Sequence, residues 1–379
     1  MVAASTPSAI TRLRNRLEGP NTIGNSRRFW TALALVVVAL IAFPVVGGTG
    51  SQFSLFLVLG LLGLSLSLVW GYAGVLSFGQ VVFFGIGAYT FGVVSINVPT
   101  PAGITGAVFA GVLAGAVVAA LLGYFMFYGG VRDVYVTIIT LVSTLVMLTF
   151  MAQTAGSEWT IGSAALGGFN GMPAIPLLTL GIEGVFTFQF VFNDLELFVP
   201  VLGVVNIDPF YYLSLAVLLA VYLGLRVLVN MDFGRVLVAI REDEDRTRMF
   251  GYDVERAKLV AFTIGGGLAG LSGVLYAARN VYIDPSVFQL YFATLPVVWV
   301  SVGGRKSLLG AVSATVAVEY VRLSLGGELA LVVVGALLLV SILVLPGGII
   351  PWIDDKLSDG RLDVSDVESP ETPPEATEP

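Results

Sequence analysis

The chain has 379 residues, of which 56% are hydrophobic and only 12% are charged. A soluble domain carries about 25% charged residues, so these proportions exclude an ordinary soluble fold. The sequence contains no Cys and no His, which removes thiol nucleophiles, disulfides, imidazole acid–base chemistry and Cys/His metal sites. We therefore expect no catalytic residue, no metal and no cofactor, and we expect that the chain is not an enzyme.

The net charge of −7 is concentrated at the C-terminal end. Residues 354–379 contain nine acids and two bases, a balance of −7, so the rest of the chain is neutral. This stretch is rich in Pro, Glu, Ser and Thr, and it offers too little apolar surface to fold. We predict an acidic, disordered C-terminal tail over residues 351–379. Its acids are Asp354, Asp355, Asp359, Asp363, Asp366, Glu368, Glu371, Glu375 and Glu378.

Long apolar runs recur along most of the chain, and most approach the ~20 residues that a membrane-spanning helix requires. Spanning β-strands would be about half as long and would alternate apolar with polar residues. We predict an all-α fold, a polytopic transmembrane helical bundle of about ten spans within residues 29–350. The predicted spans are residues 29–46, 53–69, 81–95, 104–128, 135–151, 210–227, 259–276, 288–302, 308–321 and 329–345. The short third and eighth segments have a re-entrant alternative.

Ten crossings would place both termini in the cytoplasm. All the basic clusters then fall on the cytoplasmic side, as the positive-inside rule requires: residues 1–28, Arg132, residues 226–258, and Arg305 with Lys306. Residues 152–208 contain no Lys or Arg, which favours an external loop. A cleaved signal peptide would need a shorter apolar region than residues 29–46. We predict a multi-pass protein of the cell (plasma) membrane with an uncleaved first span.

A glycine-rich break separates the second and third spans, over residues 70–80. Glycine permits backbone geometries closed to other residues, and irregular backbone survives at membrane depth only where protein buries it or a water-filled cavity meets it. The break could line a solute path, with Tyr72, Ser77 and Gln80 as neutral polar candidates. The alternative is tight helix packing through small residues.

The fifth span carries a second polar set. Thr137, Thr140 and Thr144 share one helical face by their spacing, and Ser143 lies nearby. These threonines are candidates for lining the path, although threonine hydroxyls often bond back to their own helix. The sequence is compatible with both roles, lining of the path and bonding within the helix.

Two other span features favour structural roles. Gly266 and Gly270 form a small-xxx-small pair, which predicts close helix packing. Glu319 is the one carboxylate deep in the ninth span and is costly there unless it is paired. Arg322 lies one turn along the same face, so we expect an ion pair between the two.

The most charged internal segment covers residues 229–258. Helix formers over 235–249, stopped by Gly251, predict an amphipathic helix whose partly apolar face includes Val236, Ile240, Met249 and Phe250. Such a helix could dock into a groove of a cytoplasmic partner. A solvated loop helix and a helix on the membrane surface are the alternatives.

Four ordered blocks over residues 53–350 resemble the permeases of branched-chain amino-acid and urea ABC importers. The first block comprises 70–74, 76–80 and 84–89; the second comprises 239–244, 251–254 and Lys258; the third is 302–311, and the fourth is 345–348. In that family the loop of the second block docks on the ATPase. The resemblance implies a coupling role for Arg241, Glu242, Asp243, Glu244, Gly251, Tyr252 and Asp253.

Within the family, the urea-type subunit is favoured. Its markers are residues 251–253, 297–300 and 167–171, and Arg246 with Thr247 stands where the amino-acid branch usually has alanines. The sequence thus favours urea as the solute, with branched-chain amino acids or short amides as the alternative. The departure at Arg246 and Thr247 also makes the generic coupling-loop match less close.

The resemblance implies a set of partners: a second related permease, two ATP-binding-cassette ATPase subunits, an extracytoplasmic solute-binding protein and membrane lipid, with no nucleic acid. The chain lacks the Gly-x-x-x-x-Gly-Lys-Ser/Thr nucleotide loop, so an ATP-driven process would need a separate ATPase. The further alternative is an ion-coupled secondary transporter. Such proteins place ionisable groups near the midplane, and only Glu319 qualifies.

Overall fold

The computed structural model describes residues 16–44, 50–190, 195–199, 203–344 and 347–352. The predicted acidic tail beyond Trp352 and the first half of the N-terminal segment lie outside these ranges. In the described part, twelve α-helices form the protein. They are α1 Arg27–Ala42, α2 Gly50–Leu66, α3 Gln80–Asn97, α4 Pro101–Phe127, α5 Asp133–Ala152, α6 Pro209–Asn230, α7 Asp232–Glu242, α8 Glu244–Met249, α9 Val254–Asn280, α10 Leu290–Gly303, α11 Leu308–Leu325 and α12 Gly327–Val344.

Seven of the described helical segments are long and apolar enough to cross a membrane. The predicted third span is one of them, because α3 has 18 residues. The predicted eighth span corresponds to α10, which has only 14 residues and contains Pro296. At 1.5 Å per residue this helix is about 21 Å long, less than the ~30 Å hydrocarbon core. The polytopic helical bundle is confirmed, and the count of ten spans stays a prediction that also needs α1, α10 and α12.

The centre of the bundle is a close contact between α3, α4 and α9 that glycines make possible. Gly270 faces the Gly111 carbonyl oxygen and the Gly115 Cα, so that a side chain placed there would lie 3.1 and 3.3 Å from these atoms. Gly87 of α3 lies against the backbone of Gly270 in the same way. The packing role predicted for Gly266 and Gly270 is confirmed, because both glycines face α4.

Residues 152–208 depart from a purely helical fold. They contain three antiparallel hairpins, and these pair β1 Thr160–Ile161 with β2 Ala164–Ala165, β3 Thr179–Ile182 with β4 Phe186–Gln189, and β5 Leu195–Val199 with β6 Gly203–Ile207. The apolar residues of 195–199 and 203–207 form the strands β5 and β6. Hydrogen bonds attach this region to the bundle: Met172 N–H donates to the Ile283 carbonyl oxygen, in the loop after α9, at 2.7 Å, and Gly181 N–H donates to Thr105 Oγ1 of α4 at 3.0 Å.

The charged segment is two helices, whereas the sequence predicted one over residues 235–249. Asp243 adopts an extended conformation with φ −159° and ψ 101°, which ends α7. The Asp243 carboxylate then accepts the Arg246 N–H at 2.9 Å and caps α8, and aspartate is among the best residues for this role. The prediction of a single helix was wrong because a local side-chain cap outweighed the helix-forming tendency of the flanking residues. The predicted stop at Gly251 is confirmed by its φ of +87°.

We predict that Gly87→Ala destabilises the protein, because the added Cβ would lie 2.6 Å from the Gly270 Cα and carbonyl oxygen. Overpacking of this kind lowers the free energy of unfolding by about 1–3 kcal/mol. The matched control is Gly224→Ala in α6, where no described atom outside the adjacent helical backbone lies within 4 Å of the added Cβ and helix propensity favours alanine by up to about 1 kcal/mol. Denaturant unfolding in detergent measures both, and equal effects would contradict the close α3–α9 contact.

Candidate functional site

The glycine-rich break predicted from the sequence is a change of helix type followed by a loop. After α2 the chain continues as a π-helical turn, Ser67–Tyr72, and residues 73–79 form a loop before α3. Gly74 has φ +79°, in the left-handed region that glycine enters without strain. We call residues 67–79 the broken segment. Its backbone groups lack the regular helical bonds, so they require other partners in an apolar setting.

The threonines of α5 supply several of these partners. Thr140 Oγ1 accepts the Phe78 N–H at 3.2 Å, and Thr137 Oγ1 donates to the Leu76 carbonyl oxygen at 3.0 Å. Thr144 donates to the Thr140 carbonyl oxygen of its own helix at 3.0 Å. The broken segment and the threonine face, which were predicted separately from the sequence, are therefore in contact. The threonine hydroxyls bond to backbone groups, which favours a structural role for them over lining a solute path.

Ser77 and Gln80 lie in the same region and are each 1% exposed. Ser77 Oγ accepts the Gly79 N–H at 3.1 Å, so it closes the turn before α3. Gln80 Oε1 lies 2.7 Å from Ser65 Oγ, and that hydroxyl also lies 2.9 Å from the Gly265 carbonyl oxygen. Among the described residues Gln80 Nε2 has no hydrogen-bond partner, so both N–H donors of this buried amide are unused there.

Tyr72 lies apart from these residues, at the end of the π-helical turn. Its hydroxyl donates to the Asn21 carbonyl oxygen at 3.2 Å, in the short segment that precedes α1. The same segment surrounds Arg226, which is 1% exposed. Arg226 donates to the carbonyl oxygens of Leu17 at 2.6 Å and Gly24 at 2.7 Å. The sequence showed Arg226 only as a basic residue at the end of a span, because its partners lie about 200 residues away.

Arg226 also contacts two aromatic rings. Its guanidinium carbon lies 4.9 Å from the Phe29 ring centroid and 4.8 Å from that of Trp30. Cation–π contacts together with carbonyl acceptors hold this buried arginine, and none of its partners within the described ranges is a carboxylate. This arrangement fixes the start of α1 against the end of α6.

Arg241 connects the charged segment to the broken segment. Its Nη1 donates to the Gly71 carbonyl oxygen at 2.5 Å, and its Nη2 lies 2.7 Å from Glu242 Oε1. The same carboxylate oxygen lies 3.2 Å from Lys306 Nζ. Hydrogen bonds from Arg241 and Lys306 hold the pKa of Glu242 below its usual value, so this carboxylate is ionised at neutral pH. A charged cluster therefore forms where α7, the α10–α11 turn and the π-helical turn meet.

The remaining charged residues of the segment stabilise its own shape. Glu244 pairs with Lys258 and with Arg248, the latter at 3.1 Å. Asp253 accepts the Arg256 N–H at 2.9 Å and caps α9. These contacts hold the turn around Gly251 between two helices.

The tip of this turn carries exposed apolar side chains. Met249 is 87% exposed, Phe250 76% and Tyr252 52%. Leu237 and Ile240 of α7 are buried against the bundle instead. The partly apolar face predicted for one helix is therefore divided, since Ile240 faces the protein while Met249 and Phe250 face outward.

Glu319 and Arg322 form the predicted pair. Arg322 Nη2 lies 2.6 Å from Glu319 Oε2, and the Glu319 side chain is fully buried. A carboxylate held by an arginine one turn away is a structural arrangement. Among the residues that the structure describes, no group of three or more His, Cys, Asp or Glu side chains could hold a metal ion.

The broken segment, the threonine face and the charged segment all lie within the part of the chain that matches known proteins. The family described as branched-chain amino acid transport system / permease component matches residues 48–342. The high-affinity branched-chain amino acid transport system permease protein LivM of Salmonella typhimurium is 32% identical over 343 residues, covering 86% of this chain and 75% of that protein. LivM of Escherichia coli is 32% identical over 345 residues, or 87% and 76% of the two chains.

A shorter similarity extends to another solute class. The xylose transport system permease protein XylH of Haemophilus influenzae is 36% identical over 106 residues, or 28% of this chain and 27% of that protein. No solved structure matches the chain significantly.

We predict that Thr140→Val lowers the free energy of unfolding by about 1–2 kcal/mol, because the partly buried Phe78 N–H loses its acceptor. Thr149→Val on the same helix is the matched control, since Thr149 is exposed and bonds only to the Leu145 carbonyl oxygen at 2.9 Å. Denaturant titration of both variants in detergent tests this. An equal loss of stability in the two variants would show that α5 does not hold the broken segment.

Proposed function

This chain belongs to the branched-chain amino acid ABC permease family, and from that premise we propose that it transmits motion from a separate ATPase to a solute path. The relatives are transport permeases and not enzymes, so hydrolysis of ATP is assigned to another subunit. The full assembly would contain a second related permease, two ATPase subunits and a solute-binding protein. The path would lie beside the broken segment, where Gln80 keeps an unused buried amide donor.

The observation that carries this proposal is the hydrogen bond from Arg241 to the Gly71 carbonyl oxygen. Arg241 belongs to the segment proposed to contact the ATPase, and Gly71 belongs to the π-helical turn. A displacement of α7 therefore acts directly on the least regular backbone in the bundle. Gly71 also has no room for a side chain, because a Cβ there would overlap the Arg305 carbonyl oxygen. The turn is thus confined between α7 and the α10–α11 turn.

The exposed tip of the charged segment suits the ATPase contact. Met249, Phe250 and Tyr252 project from a turn that ion pairs hold in place. Aromatic and methionine side chains are enriched at the centres of protein interfaces. The surrounding basic residues support a cytoplasmic location for this surface. With both termini on that side, the hairpin-containing region 152–208 would face outward toward a solute-binding protein.

We propose branched-chain amino acids as the solute. The two long matches are permeases named for these amino acids, whereas the comparisons give no support to urea, which the sequence motifs favoured. The buried polar groups near the break are neutral, and neutral groups suit a solute without net charge. Glu319 Oε2 pairs with Arg322 one turn along the same helix, and this pairing supports a structural role for the carboxylate.

We predict that Phe250→Ala lowers the affinity for the cognate ATPase by about tenfold or more, as truncation of an aromatic interface residue does. Folding should be unchanged, because Phe250 is 76% exposed. The control is Phe169→Ala, since Phe169 is 77% exposed and lies in the region proposed to face outward. Binding of purified ATPase and ATP-dependent uptake in proteoliposomes measure both effects. Loss of binding in the Phe169 variant, or none in the Phe250 variant, would contradict the proposed surface.

We predict that the importer, reconstituted in proteoliposomes with its own solute-binding protein, transports radiolabelled leucine. ATP is supplied on the side of the membrane where the ATPase subunits lie. Excess unlabelled isoleucine or valine should compete, and excess urea should not. The matched control omits ATP. ATP-dependent accumulation of labelled urea, unaffected by leucine, would assign the solute to the urea branch instead.

A further inference from the structure

A wide cleft opens beside the charged segment, on the same side of the bundle. Its volume is about 1260 Å³, and its walls come from the segment before α1, the start of α1, α7, the α10–α11 turn and residues Gly347 and Pro351. Tyr72 of the π-helical turn forms part of the lining. The function proposed above uses Arg241 of this lining but assigns no ligand to the cleft.

The cleft is strongly basic. Among the residues that the structure describes, its lining includes Arg28, Arg241, Arg305 and Lys306 and no acidic residue. Glu242 lies beside the cleft and pairs with Arg241 and Lys306. Arg28 and Arg305 are exposed, and neither forms an ion pair within the described ranges. The cleft therefore carries a surplus of positive charge that an anionic ligand would neutralise.

The acidic end of the chain begins at this cleft. Pro351 is part of the lining, and Asp354 follows three residues later, within about 10 Å of extended chain. Residues 354–379 carry the nine acids and two bases noted above. A ligand joined by so short a tether reaches an effective concentration on the order of millimolar, so weak individual charge pairs suffice.

We propose that residues 353–379 dock in the basic cleft as an intramolecular anionic ligand. The docked tail covers Arg28 and Arg305 and lies next to Arg241, the residue that contacts the broken segment. Ionic strength controls the occupancy, because exposed charge pairs are screened over a Debye length of about 3 Å in 1 M salt and about 8 Å in physiological salt. At low salt the docked tail thereby excludes other anions from the surface beside the charged segment.

The absence of cysteine from the natural chain allows a direct test on the full-length protein. Spin labels are attached to Ala32→Cys, on the cleft wall, and to Ser358→Cys in the tail, and the distance between them is measured in nanodiscs. We expect a short, narrow distance component in low salt that is lost at about 1 M NaCl. A broad distribution that is the same in both salts would overturn the proposal.

Two charge variants test whether the cleft itself is the site. Arg28→Gln with Arg305→Gln should reduce the short component by about fivefold. Arg235→Gln with Arg256→Gln is the matched control, because these arginines belong to exposed residues that do not line the cleft, and it should leave the component unchanged. An equal loss in both variants would overturn the proposal.

A lipid headgroup is the competing source of negative charge. The measurement is therefore repeated in nanodiscs of phosphatidylcholine with and without phosphatidylglycerol. A short component in phosphatidylcholine supports the tail whether or not phosphatidylglycerol displaces it, and its absence from both lipid compositions overturns the proposal. The readout needs neither an ATPase nor transport, so its outcome is independent of the function proposed above.

Discussion

A backbone that leaves helical geometry inside an apolar bundle must find other partners for its N–H and C=O groups. Residues 67–79 meet this requirement through two distant parts of the chain. Thr137 and Thr140 of α5 bond the loop at Leu76 and Phe78, and Arg241 bonds the Gly71 carbonyl oxygen. The energetic need for these bonds keeps the segment in one conformation, and it makes that conformation dependent on α5 and α7.

Through the bond from Arg241 to Gly71, the conformation of the broken segment depends on the charged segment. A short charged cluster of Arg241, Glu242 and Lys306 lies next to the Gly71 contact. The exposed tip around Phe250 lies at the far end of the same segment. The close contact of α3, α4 and α9 through glycines leaves the bundle little room to absorb a displacement, because interiors are densely packed. Under the proposed function, a force applied at the tip would reach the broken segment through α7 and the contact of Arg241 with Gly71.

The sequence predicted the helical bundle well, since apolar runs of spanning length have no other stable arrangement in lipid. It also predicted the Gly266–Gly270 packing and the Glu319–Arg322 pair, because both depend on spacing along one helix. It missed the break at Asp243 and the hairpins of residues 152–208, which arise from a side-chain cap and from strand pairing. It missed the environment of Arg226 as well, because the carbonyl groups that bind it come from the segment before α1.

The sequence by itself determined that the chain is a membrane protein, which of its segments are apolar and which are charged, and the family to which it belongs. Composition and local periodicity are properties of consecutive residues, so they can be read without the fold. Only the tertiary structure decided that the α5 threonines bond the broken segment, that Arg241 reaches Gly71, and that Pro351 lines a basic cleft. Each of these depends on a distance between residues far apart in the chain. Helix packing sets such distances, and no spacing along the sequence encodes them directly.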